Sequence, residues 1–219
     1  MFDTFILILE VIGTIAFAIS GAMTAMERKL DILGVAILGV VTACGGGFIR
    51  DVCLANVPEN IFKDSTYVII SLVTSLILFI IFYIKKDISI TENKFYKNML
   101  TLTDAIGLGV FVVIGANETI KLGYNSFFIV CFMATITAVG GGVIRDISVN
   151  KIPNIFRKHL YALPTIIGSI FYYLLMKLDF SSYLAIFIAL LFIIVIRMLA
   201  YKYELSLPRV HFKEENEKK

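Results

Sequence analysis

Of the 219 residues, 58% are hydrophobic and only 17% are charged, with a mean hydropathy of +0.87 and a formal net charge of +3. Apolar runs of membrane-spanning length recur along the whole chain, too many for a soluble domain of this size to bury, so composition excludes a soluble fold. No basic stripe with interleaved aromatics occurs, which excludes nucleic-acid binding.

Runs of the roughly 17–25 apolar residues needed to cross about 30 Å of hydrocarbon fall near 4–26, 33–57, 65–84, 98–117, 125–149, 160–176 and 180–201. The expected fold is therefore an all-α integral membrane protein with seven transmembrane helices. Its first segment opens on Met1-Phe2-Asp3, has no positive n-region and is longer than a signal h-region, so it is expected to remain as the first span. Connections are short, and the expected organisation is a transmembrane domain over 1–203 followed by a charged cytoplasmic tail over 204–219.

Lys and Arg divide unequally between alternate connections. One set holds Arg28 and Lys29, then Lys85, Lys86, Lys94 and Lys97, then Lys151, Arg157 and Lys158, then the tail with Lys202, Arg209, Lys213, Lys218 and Lys219. The other holds Lys63, Lys121 and Lys177. By the positive-inside rule this places the N-terminus outside and the C-terminus in the cytoplasm of a bacterial-type inner membrane. The net charge thus reports topology, with lipid headgroup contact at Lys85-Lys86 and Arg157-Lys158 a secondary reading. Cys44, Cys53 and Cys131 lack CxxC spacing and are expected as small core residues, while His159 and His211 are expected to be solvated. No metal or cofactor site is expected.

The chain repeats itself. A slide of 95 positions superposes Gly45-Gly46-Gly47-Phe48-Ile49-Arg50-Asp51 on Gly140-Gly141-Gly142-Val143-Ile144-Arg145-Asp146, and Pro58 on Pro153. A slide of 94 places Glu10 on Asp104, Phe17 on Phe111 and Gly21-Ala22 on Gly115-Ala116. Repeat one occupies 4–86, repeat two 98–177, and the seventh helix at 180–203 stands outside them. Three spans per repeat is an odd number, so the second copy crosses the membrane in the opposite sense and the halves are inverted about a pseudo-two-fold axis in the membrane plane.

Rise per residue sets depth. Both glycine triplets fall near the bilayer centre; Arg50 lies level with Glu10 in one half, and Arg145 level with Asp104 in the other. Because an unpaired charge in hydrocarbon costs several kcal/mol, ion pairs Glu10–Arg50 and Asp104–Arg145 are expected. Consecutive residues project about 100° apart on a helix, so Arg50 with Asp51 and Arg145 with Asp146 are not assumed to pair. Each glycine lowers helix propensity by about 1 kcal/mol relative to Ala, and a triplet invites a kink that frees backbone groups along a wet path. Close packing of helices is the competing explanation for the same glycines.

The stretches TACGGGFIRDV, TAVGGGVIRDI and GTIAFAISGAM, with an acid upstream of the last, resemble the trimeric intracellular cation channels and their prokaryotic relatives, whose domain also bears the description of a glycine transporter. The resemblance covers about 4–203. It departs at Glu10, where bacterial relatives usually carry Asp, and at Gly115-Ala116, which lacks the serine preceding Gly21. It implies a homotrimer embedded in lipid, with a pore in each protomer that passes potassium and other monovalent cations. The second and fifth helices would line that pore, bent at Gly45, Gly46, Gly47 and Gly140, Gly141, Gly142, with Arg50 and Arg145 beside it and Asp51 and Asp146 tipping the local field negative. The alternative is a secondary transporter of glycine or another small neutral amino acid, whose carboxylate would meet Arg50 or Arg145 and whose ammonium would meet Glu10 or Asp104. No HExxH, GxSxG or P-loop occurs, and no enzymatic activity is expected.

Overall fold

The computed structural model describes residues 2–85, 94–157, 161–178 and 180–205. Lys86, Lys158, His159 and the tail residues Arg209, His211, Lys213, Lys218 and Lys219 lie outside them. Among the described residues the elements are α1 (Phe2–Glu27), α2 (Ile32–Cys53), α3 (Asn60–Lys63), α4 (Thr66–Lys85), α5 (Lys94–Lys121), α6 (Phe127–Ser148), α7 (Asn154–Arg157), α8 (Ala162–Lys177) and α9 (Ser182–Lys202). All are helices. Six are long and apolar enough to cross a membrane, and α8 is a shorter apolar helix. With α8 they make the seven spans, α1, α2 and α4 forming one repeat, α5, α6 and α8 the other, and α9 the addition.

The short helices α3 and α7 were not legible as apolar runs, and they explain why α2 ends at Cys53 although the apolar stretch continues to 57. Leaving α2, Ala55 takes φ 52° and the Asn56 N–H donates to the Asp51 carbonyl at 2.9 Å. Leaving α6, Asn150 takes φ 54° and the Lys151 N–H donates to the Asp146 carbonyl at 2.8 Å. Both are left-handed helix stops that satisfy a terminal carbonyl. The Asp51 carboxylate then accepts from the Asn60 N–H, and that of Asp146 from the Asn154 N–H, each at 2.9 Å. One residue therefore closes each long helix through its backbone carbonyl and starts the short one through its carboxylate.

The repeats meet along two reciprocal crossings. Where α2 crosses α6, a Cβ built on Gly46 would overlap the Thr137 carbonyl oxygen and lie 3.0 Å from its carbon, and a Cβ on Gly141 would do the same at Thr42. Gly46 and Gly141 are equivalent under the repeat, as are Thr42 and Thr137, so each half contacts the other through the same pair. That reciprocity is the mark of a two-fold axis. Where α1 crosses α5, the equivalent rings Phe17 and Phe111 stack with centroids 5.2 Å apart and planes 15° from parallel. A Cβ on Gly107 would run into Phe17, and one on Gly13 would come 3.2 Å from Phe111.

The threonines at these surfaces leave no hydroxyl orphaned. Thr42 and Thr137 each donate back to the carbonyl one turn earlier, Leu38 and Met133, at 2.6 Å. The main core gathers around α5, with Leu108, Val112, Val113, Ile114, Val130, Tyr172, Ile186 and Ile193 all buried. By contrast α4 exposes Ile69, Val73, Ile77, Ile80 and Ile84 outward, as an apolar helix face does in lipid.

The triplets do not break their helices: α2 runs as α-helix from Ile32 to Cys53 and α6 from Phe127 to Ser148. Within these continuous helices Gly46, Gly140 and Gly141 serve close approach, with the Cα of Gly46 only 3.2 Å from a Cβ built on Gly140. In contrast a Cβ on Gly47 would meet nothing nearer than the Arg50 guanidinium at 3.9 Å. Gly46→Ala and Gly141→Ala are each expected to destabilise the protein by about 1–3 kcal/mol through overpacking, with Gly47→Ala close to neutral for stability. Thermal unfolding in detergent of the three variants beside the parent checks this, and equal loss at all three would count against it.

Candidate functional site

Each repeat carries one charged site, at the C-terminal end of its glycine-bearing helix. The last turn of α2 presents Arg50 and Asp51, and that of α6 presents Arg145 and Asp146; all four are buried. The Arg50 guanidinium donates through Nε at 2.9 Å and Nη2 at 2.7 Å to Asp51 Oδ1. Arg145 Nε donates to Asp146 Oδ1 at 2.9 Å. Adjacent residues pair after all. Their Cβ atoms diverge, yet the long arginine stem folds back far enough for the planar guanidinium to reach, and in hydrocarbon that enclosure outweighs the rotamer entropy lost.

In the second repeat the expected cross-helix pair is present as well. Arg145 Nη1 donates to Asp104 Oδ1 at 2.7 Å and to the Ser20 hydroxyl at 2.7 Å. The same carboxylate oxygen accepts from the Tyr161 hydroxyl at 3.3 Å and from Ser20 at 3.4 Å. From α9, Arg197 Nη2 lies 3.6 Å from Asp104 Oδ2, and its guanidinium sits over the Tyr161 ring at 4.6 Å from the centroid. Two carboxylates and two guanidinium groups balance there, all nearly excluded from solvent.

The first repeat departs from expectation. Glu10 makes no direct ion pair with Arg50; its carboxylate accepts a hydrogen bond from the Tyr67 hydroxyl, while Arg50 is taken up by Asp51. Matching depth does not fix azimuth, and the nearer aspartate captures the guanidinium. Glu10 and Arg50 nevertheless share one cavity of about 320 Å3. Its walls include Gly47 and Cys44 from α2, Tyr67 from α4, and Phe111 and Glu118 from α5. Lys63, at the end of α3, and Asp64, just beyond it, also line it. Hydrogen bonds from the Thr66 side chain, and then its backbone N–H at 2.9 Å, hold the Asp64 carboxyl below the usual carboxylate range. Carboxylates outnumber cations on these walls: Glu10, Asp51, Asp64 and Glu118 against Arg50 and Lys63, with Glu118 also bound to Lys121 at 2.9 Å.

Residues that motif reading passed over complete both sites. Tyr67 and Tyr161 are equivalent under the 94-residue slide, and each donates to the acid of its own repeat's first helix. That slide was available in the sequence, since Ser71 with Thr165 and Ser75 with Ser169 follow in the same register. Ser20 and Arg197 had no such signal. Ser20 belongs to the first repeat yet serves the second repeat's acid, and Arg197 sits in the helix that the repeat does not include. Among the described residues no group of three or more His, Cys, Asp or Glu is placed to hold a metal ion.

With this geometry in view, comparisons with known proteins agree. The family model described as glycine transporter matches twice, over residues 7–83 and 101–177, the first match taking in α1, α2 and α4 and the second α5, α6 and α8. The UPF0126 inner membrane protein YadS of Escherichia coli K12 is 38% identical over 205 residues, covering 91% of this chain and 93% of its own. A solved structure described as the structural basis for conductance through TRIC cation channels is 36% identical, covers 94% of this chain and 97% of its own, and superposes with a TM-score of 0.81. The TRIC orthologue from Rhodobacter sphaeroides, at 27% identity, covers 92% of this chain and 100% of its own with a TM-score of 0.83. The chain therefore belongs to the trimeric intracellular cation channel family, in its prokaryotic branch, the family that the glycine transporter model also describes.

Proposed function

We propose that this protein is a potassium-permeable monovalent cation channel of a bacterial-type inner membrane, assembled as a homotrimer with a separate path through each protomer. The observation that carries this reading is the cavity on the first repeat. It joins an excess of carboxylates to the bare backbone of Gly47, at the end of the α2–α6 crossing. Arg50 would repel a cation by several kcal/mol at low effective dielectric were it unpaired; bound twice to Asp51, it is electrically spent. Glu10 and its neighbours then set a negative field. Solved relatives are described as cation channels, one of them as trimeric, and the E. coli relative as an inner membrane protein, which supports the same reading.

The lysine and arginine asymmetry orients the chain with its N-terminus outside, so the first-repeat cavity opens outward and the second-repeat site lies toward the cytoplasm. Gly45 to Gly47 and Gly140 to Gly142, which lie within continuous helices here, are where α2 and α6 bend at least cost. Bending there, with separation of the crossing, is how the path opens.

The family model's description favours a second reading, a transporter of glycine, and the cavity does hold Arg50 and Glu10 together. Against it, Asp51 already occupies the guanidinium face that a substrate carboxylate would need.

Purified protein in liposomes separates the two. Rapid electrogenic potassium flux without saturable counterflow of labelled glycine is the expected result, and counterflow in the absence of potassium flux would replace the channel reading with the transporter. Glu10→Gln, which retains shape and the contact with Tyr67, is expected to reduce cation flux on the order of tenfold through loss of one wall charge; unchanged flux and selectivity would remove Glu10 from the pathway. Asp104→Asn leaves buried guanidinium groups short of a counter-charge and is expected to cost about 3–5 kcal/mol of stability, measured by thermal unfolding in detergent.

A further inference from the structure

The two sites are equivalent by sequence but not in openness. At Gly47 the space facing the helix is cavity, whereas at the equivalent Gly142 a Cβ would meet the Tyr161 hydroxyl at 2.7 Å. Tyr67 stands beside an open space, and Tyr161, its equivalent, is 3% exposed and fills the corresponding one. Within the repeats, Glu10 answers to Asp104 and Ile114 to Ser20, and the rest of each site is alike. Each has a tyrosine donating to an acid, and each has an arginine bound to the next aspartate.

To these α9, the helix outside both repeats, adds a group that only the second site receives. It packs against α5 and α8 and delivers Arg197 to Asp104 and to the face of Tyr161. Charge follows the same division. Glu10, Asp51 and Arg50 leave one carboxylate in excess, and so do Asp104, Asp146 and Arg145; Arg197 cancels the second excess only. A guanidinium stacked on an aromatic ring and set against a carboxylate stays charged and desolvated at low cost. It stands where a mobile cation attracted to Asp104 would stand.

We infer that Arg197 is a tethered cation that shuts the second-repeat end of the path, occupying the place beside Asp104 that a permeating cation would take and bracing Tyr161 over Gly142. This rests on the channel reading. Conduction through that end requires Arg197 to withdraw from Asp104, so the single helix added to the inverted repeat gives an otherwise symmetric path a closed end and an open one.

The test uses the full chain in liposomes, comparing the parent with Arg197→Ala while measuring potassium flux with and without low-millimolar guanidinium ion. Asp104 keeps Arg145 in this variant, so no buried carboxylate is abandoned. The expected result is flux raised on the order of tenfold, the scale on which removing one buried cation changes occupancy of a neighbouring site, and restored toward the parent level by guanidinium, which leaves the parent unaffected. Unchanged flux in the variant, or raised flux that guanidinium does not restore, overturns the role of Arg197. Should the alanine variant fail to assemble, Arg197→Met, of similar length and suited to hydrocarbon, is judged by the parent-versus-variant flux alone. Absence of potassium flux from parent and variants alike overturns the channel reading instead, and the inference with it.

Discussion

At the centre of this molecule two helix backbones meet with no side chain between them. Gly46 of α2 faces the Thr137 carbonyl of α6, and Gly141 of α6 faces the Thr42 carbonyl of α2. In a membrane there is no hydrophobic force between helices to compensate for a poor fit, so close approach of small residues is what holds a crossing together. Because the contact is reciprocal, it also fixes the axis about which the two halves are inverted. The stacked pair of Phe17 and Phe111 repeats that geometry between α1 and α5. Every charged residue discussed above is positioned relative to these two crossings.

The second constraint is that charge in hydrocarbon must be answered locally. Asp51 and Asp146 answer it and do more: one carboxylate oxygen binds the preceding arginine while the other starts the short helix that follows. The arginine is thereby neutralised and held at the end of its helix. Helix termination, charge compensation and the wall of the site are one structural unit, built twice.

Symmetry then fails in an informative way. The same set of residue types leaves a cavity in one half and a closed, charge-balanced network in the other. Ser20 in one half faces Asp104, while its equivalent Ile114 lines the first-repeat cavity with an apolar side chain. Only the second site receives an arginine from α9. An exactly repeated pair of sites would give both ends of a path the same affinity and the same resistance; an added helix that touches one of them separates the ends.

The spans, the inversion, the equivalence of the two glycine motifs and the pairing of Asp104 with Arg145 follow from the amino-acid sequence by itself, because hydropathy, the odd number of spans per repeat and depth along a helix are all one-dimensional quantities. Family membership rests on the same motifs. The sequence was silent on whether the triplets bend or pack, since glycine permits both and only the partner across the crossing decides; here the Thr42 and Thr137 carbonyls fill the available space within helices that run on without a break. It misdirected the partner of Arg50, because equal depth says nothing of azimuth and Asp51 is nearer. Tyr67 and Tyr161 were within reach of the repeat register, but their significance depended on distance to an acid many residues away. Arg197 belonged to no repeat and no motif, and tertiary packing of α9 against α5 alone brings its charge to Asp104.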